Sequence, residues 1–415
     1  MKHAPPSRAP GYLVSWLLAG SLFLGACGSS DATPPDDGVG PSNDGPLYVL
    51  SARITTGSEL ASFALIVDSL EEGTAVDFGT SIEIANGGIV VGPPGQGVMY
   101  AVDGATPELT EFRLQPDGSF AMGETLSFLN FSVTTERVAR GNFIFLSDTK
   151  VYSIDTFAQL IIIWDPSVMA ITGTIDLSEI GIPGEVALVG DGEVIRDGEV
   201  VIAIDYLGLG QNGQTGFASE SVLLFLDPNT DTITRVLTIE NCGSVGSLFL
   251  DDRGDIYGAS SFAGITTRVV GDRGGPECVF RIPRGTYDVV DQALLSERTG
   301  DLIAGSMFRS RDTLAYFRVL DLSLLPSDTA TAGEVSAARA WTWGLLDLAQ
   351  NEPIRLVPEL GVNGAVVFGF EIDGETWVAE SEEGFTGATL VNVSGQSARR
   401  GVFVNALIRN AFRLR

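Results

Sequence analysis

The chain has 415 residues and is strongly acidic: 53 aspartates and glutamates stand against 25 lysines and arginines, with 50 glycines, three cysteines and one histidine. The histidine, His3, falls in a segment that reads as a cleaved leader; without residues 1–26 the chain keeps 389 residues, no histidine, Lys150 as its one lysine and a net charge of −30. This excludes imidazole-activated nucleophiles and histidine metal sites, and it argues against nucleic acid and anionic bilayer surfaces, which both reward positive charge.

Lys2, His3 and Arg8 precede an apolar run from Tyr12 to Leu24, the length of a signal-peptide core and too short to span a bilayer. The run ends in Leu24-Gly25-Ala26-Cys27, which resembles the lipobox of bacterial lipoproteins. That resemblance implies that Cys27 becomes the acylated first residue of an envelope lipoprotein, anchored to the membrane by its lipid. Gly28 and Ser29 lack the aspartate of the best-known inner-membrane retention rule, so the outer membrane is the preferred address. Residues 28–46 are rich in Gly, Pro, Ser and Asp, with Val39 as their one large apolar side chain, and read as a flexible tether. The folded domain is expected over residues 47–415.

From Leu47 onward, short Val/Ile/Leu/Phe runs bounded by Gly, Asp, Asn and Pro recur and almost no segment shows a helical period, so the fold class is all-β. The clearest unit is residues 142–177, with strands at Phe143–Ser147, Val151–Asp155, Leu160–Trp164 and Ala170–Leu177 joined by short polar turns. Four antiparallel strands in this span make one propeller blade. Its second hairpin returns at residues 222–239 with the Asp227-Pro228 turn, and in weaker form at 63–84, 110–128, 278–290, 315–347 and 388–403. A strand precedes each copy, at 48–54, 99–103, 151–155, 201–206, 256–260, 302–308 and 377–381.

Seven copies with a mean spacing of about 54 residues predict a seven-bladed β-propeller; six or eight blades are the neighbouring counts, because residues 315–388 are stretched and Trp341-Thr342-Trp343 fits no blade. Two β-sandwiches are the competing arrangement, against which stands the lack of a Pro/Ser-rich linker after residue 47. A propeller must pair its first and last blades or leave an edge. Residues 407–414 (LIRNAFRL) have strand-like content and no blade of their own, so they are expected to close the ring beside the first blade. The other arrangement makes them the last blade's outer strand.

With Cys27 acylated, Cys242 and Cys278 remain, and an even pair in an exported chain reads most economically as a disulfide rather than two free thiols. Cys242 falls between blades four and five and Cys278 ends a long connection inside blade five, so both belong to one face. That connection carries Arg268 and Arg273; residues 308–313, taken as the equivalent connection of the next blade, carry Arg309 and Arg311. Four arginines on adjacent loops would hold a carboxylate, phosphate or catecholate, or else pair with neighbours such as Asp272, Glu277 and Asp312. The glycine-rich residues 207–220 lack the lysine and helix context of a phosphate loop and read as a mobile connection. Asp227–Asp231 and Asp251–Asp255 lack EF-hand spacing and read as turns, so no metal or other cofactor is expected.

The lipobox, the tether and the blade rhythm, above all Ile161–Ser178 (IIIWDPSVMAITGTIDLS), resemble the bacterial propeller lipoproteins of the MxcI type, known from myxochelin siderophore clusters. The resemblance implies a non-enzymatic envelope binding protein linked to iron or siderophore uptake, with a protein partner or small anionic ligand, and transfers no site residue. A carboxylate-based glycoside hydrolase or lyase and an outer-membrane assembly scaffold are the competing functions, and none of the 53 acidic residues is singled out for catalysis.

Overall fold

The computed structural model describes residues 45–415 apart from 57–58, 132, 134–141, 183, 212, 272, 300–301, 328–329, 351 and 396. The leader, Cys27, most of the tether and Asp272 lie outside the described residues. The rest forms seven four-stranded antiparallel sheets arranged as a seven-bladed β-propeller.

Blade three shows how the sequence dictates a blade. Its strands are Phe143–Ser147, Lys150–Asp155, Leu160–Asp165 and Ala170–Asp176, close to the reading above. The third strand is apolar on both faces because both are buried: Ile162 and Trp164 pack on blade two, Ile161 and Ile163 on blade four. Trp164 is fully buried, meets Tyr100 of blade two edge-on at 5.3 Å and donates its indole N–H to Ser153. The turns are set by short side chains, Asp155 accepting from the amides of Phe157 and Ala158 and Asp165 from that of Ser167.

The ring is closed by the C-terminus. Leu407–Arg413 is the innermost strand of blade one and pairs antiparallel with Tyr48–Thr56, Tyr48 opposite Arg413 and Leu50 opposite Ala411. Cross-bonds between Leu47 and Leu414 seal the junction, and Gly97 of blade two donates to Leu414 at 2.6 Å.

Six of the seven strands expected to precede the repeated hairpin are the second strands of their blades. Blade six is the exception. Residues 302–308 belong to its innermost strand, Ile303–Arg311; residues 315–347 hold its second and third strands, Leu314–Leu320 and Trp341–Asp347. The connection between those two carries the helix Ala332–Ala337, and the outer strand shrinks to Arg355–Leu356. Trp341 and Trp343, which fitted no blade, are fully buried in the third strand.

The two faces of the ring are built differently. The lower face carries the turns from first to second and from third to fourth strands, and side chains on it latch one blade to the next. Gln96 reaches Asp148 at 2.9 Å, Lys150 pairs with Asp231 at 3.0 Å and Arg284 with Asp197 at 2.6 Å. Arg309 pairs with Asp252, Ser310 donates to the Gly395 carbonyl, and Arg413 pairs with Asp373 at 2.9 Å. Each exposed pair contributes little by itself; packing between sheets carries the stability. The upper face carries the longer connections.

Two predictions follow from closure and burial. Removing residues 407–415 leaves the Tyr48–Thr56 edge bare and should abolish the cooperative urea transition, while Ile408→Ala, at a fully buried site, should cost about 2–5 kcal/mol. Burial, assisted by nearby carboxylates, pushes the Tyr100 and Tyr206 phenols up to about 12. The folded chain therefore keeps protons that the unfolded chain begins to lose near pH 10, so this stabilisation is whole below pH 10 and is lost between pH 10 and 12. Urea midpoints measured against pH should fall across that window, and less steeply in Tyr100→Phe/Tyr206→Phe.

Candidate functional site at the upper face and channel

Cys242 and Cys278 form a disulfide, with Cα atoms 5.4 Å apart, on the upper face. It ties the approach to blade five to the base of a long connection that contains the helix Phe262–Val270, capped by Ser261. Within that connection Arg268 pairs with Glu277 at 2.6 Å. Arg273 crosses to Glu185 at 2.5 Å, tying the connection to the one that leads into blade four.

The glycine-rich segment of blade four is ordered by this crossing. Its strands Glu199–Leu209 and Thr215–Asp227 extend beyond the blade and pair Gly208 opposite Gly216. A Cβ at Gly208 would lie 2.9 Å from the Arg273 guanidinium, and one at Gly216 2.9 Å from the Arg273 Cβ. The glycines form a slot for Arg273 rather than a mobile loop.

The four arginines expected on one face are not brought together. Arg268 and Arg273 lie on the upper face; Arg309 and Arg311 lie at the lower end of the innermost strand of blade six and are separated from them by the height of the ring. The reason is the strand phase of blade six: residues 308–313 join its first and second strands, not its second and third. Arg309 belongs to the lower latch with Asp252, and Arg311 is exposed there.

The innermost strands of the seven blades surround a channel. Two adjoining cavities, about 1150 and 750 Å³, share Glu193, Ile195, Phe370 and Glu371 in their walls. The larger cavity is walled by Phe143, Phe145, Phe368, Phe370 and Phe412, with Asp155, Asn142, Arg53 and Arg409 among its polar residues. Asp155 is buried; its Oδ1 is held by two backbone amides and its Oδ2 has no partner among the described residues.

Arg53 was not anticipated from sequence. It sits near the upper end of the second strand of blade one, opposite Leu407, where the innermost strand is only beginning, so its side chain reaches the channel. One Nη donates to the Gly87 carbonyl, in the turn Ala85–Gly87, while Nε is buried without a partner. Burial pulls its guanidinium below the ordinary value, and no carboxylate offsets the effect. Leu60, an exposed apolar side chain, lines the cavity beside it, and Leu129, Phe157, Val186, Leu209, Leu322 and Leu324 are exposed elsewhere on the upper connections.

No family model matches the chain, and no curated protein matches it. Among solved structures, a candidate 6-phosphogluconolactonase from Bacteroides fragilis is similar over 90% of this chain and 99% of its own, at 10% identity and a TM-score of 0.53. A second, from Bacteroides uniformis, is similar over 89% and 99%, at 10% identity and a TM-score of 0.50. The likeness is one of fold. No helix among the described residues is long and apolar enough to cross a membrane.

Replacing both Cys242 and Cys278 by Ser should cost about 3–4 kcal/mol in urea unfolding, because the bond closes a 36-residue separation. Unchanged stability would mean that Arg268–Glu277 and Arg273–Glu185 suffice to hold the connection.

Proposed function

We propose that the chain is a binding propeller held at the cell envelope by a lipid on Cys27, taking a small ligand or part of a partner into the channel from the upper face. The outer membrane is the address we favour, and the resemblance to MxcI-type lipoproteins supports a place in iron or siderophore uptake. One observation carries the binding reading: a large channel with aromatic walls holds, near its upper end, a partly buried cation with no counter-ion among the described residues. The lower face carries blade-to-blade latches, Asp252 and Arg309 among them on the wall of the smaller cavity, and the tether joins the domain there, beside Arg415. A flexible leash on that side leaves the upper mouth accessible. The names of the fold neighbours concern lactone hydrolysis; at 10% identity they support no transfer of that activity.

Two measurements test this reading. Cys27→Ala should move the protein from the membrane to the soluble fraction and abolish labelling by a palmitate analogue; membrane retention without labelling would overturn the anchor. Full-length protein screened against small organic anions and ferric siderophores should show ligand-dependent increases in Tm that are lost in Ile195→Trp, which places an indole in the channel. Stabilisation that survives this obstruction of the shared wall would overturn the site. Arg268→Ala, which breaks an ion pair on the upper face away from the channel wall, should lower Tm slightly without changing the ligand's effect.

A further inference from the structure

We propose that Arg53 holds the carboxylate of an aryl monoanion whose ring system lies against the channel phenylalanines, so that the channel selects small aromatic carboxylates. The inference rests on the channel-binding reading above and names the ligand class for it.

Three observations converge. First, the guanidinium has unused donors. One Nη is bound to the Gly87 carbonyl, Nε is buried without a partner, and no carboxylate of the described residues lies within ion-pair distance. A partly buried guanidinium in that state is costly, and an anion that reaches it removes the cost. Arg268, Arg273 and Arg309 offer no such opening, since each is already neutralised by a carboxylate. The cradle is also rigid. The turn that receives Arg53 ends at Gly87, with φ +72°, and a Cβ at the next residue, Gly88, would fall 1.8 Å from the Val102 carbonyl oxygen. Its backbone position is therefore tightly constrained.

Second, the walls are aromatic. Phe143, Phe145, Phe368, Phe370 and Phe412 contribute rings from the innermost strands of three blades, an apolar surface suited to a flat ring system. A planar carboxylate also matches the guanidinium edge better than a spherical anion does.

Third, the surrounding charge limits the ligand's own. Net charge before leader removal is −28, and Glu193 and Glu371 stand on the channel walls. A multiply charged anion is repelled by that field, and an inorganic anion lacks the apolar body that would compensate. A monoanion with a large apolar part satisfies both limits.

The test is calorimetric titration of purified full-length protein with 2-naphthoate, its neutral analogue 2-naphthamide, and inorganic phosphate. Naphthoate should bind at least tenfold more tightly than either other probe. Arg53→Lys, which keeps the charge and loses the fork, should weaken naphthoate by about ten- to a hundredfold while leaving naphthamide unchanged. Phe370→Ala should weaken naphthoate and naphthamide in parallel. Equal affinity for naphthoate and naphthamide, or wild-type naphthoate affinity in Arg53→Lys, overturns the proposal. If Arg53→Lys does not fold, the naphthoate-to-naphthamide ratio of the unaltered protein decides. Channel-dependent binding of another ligand, with no preference for naphthoate, removes this inference and leaves the binding reading intact. Loss of every response that depends on Ile195 removes both.

Discussion

Each blade leaves two apolar sheet faces that only its neighbours can cover. The third strand of blade three illustrates the constraint: Ile161 and Ile163 need blade four while Ile162 and Trp164 need blade two, so no blade is stable alone. The requirement passes around the ring until it meets the gap between the first and last blades. There Leu407–Arg413 supplies the innermost strand of blade one, joining chain positions more than 350 residues apart. Everything else in the fold presupposes that this contact forms.

Closure also defines the two faces and gives them different work. Lower-face turns are short, so their Asp, Arg and Lys side chains reach across to the next blade and latch it. Upper-face connections are long enough to carry all three short α-helices of the described residues, the disulfide and the Arg273 crossing. They carry most of the exposed apolar side chains named above, and they leave Arg53 between the start of the innermost strand and a glycine-bound turn. The acidic surplus surrounds a small cationic position rather than filling it.

Much of this was legible in the sequence, because it was local. Continuous apolar runs such as LIIIW announce strands buried on both faces, Asp-Pro and Asp-Gly turns mark hairpins, and the surplus strand-like C-terminus announces closure. The cysteine pairing followed from the two loops sharing a face. Blade six was misphased because an inserted helix separates its second and third strands and a two-residue outer strand leaves no hairpin to match. That slip of one strand put Arg309 and Arg311 on the wrong face. Arg53 was missed for another reason: nothing near residue 53 in the chain signals that closure will bring it to the channel beside Gly87. The glycines at 208 and 216 read as flexibility since their partner, Arg273, is more than fifty residues away.

The central claim is that the ring binds a small ligand in its channel rather than serving as a solid scaffold. Native mass spectrometry of the protein extracted gently from its own membranes tests this directly. A lipidated species carrying a releasable small-molecule mass is expected, with that mass absent from Ile195→Trp. An unliganded ring in both proteins, with a protein partner retained equally by each, would contradict it.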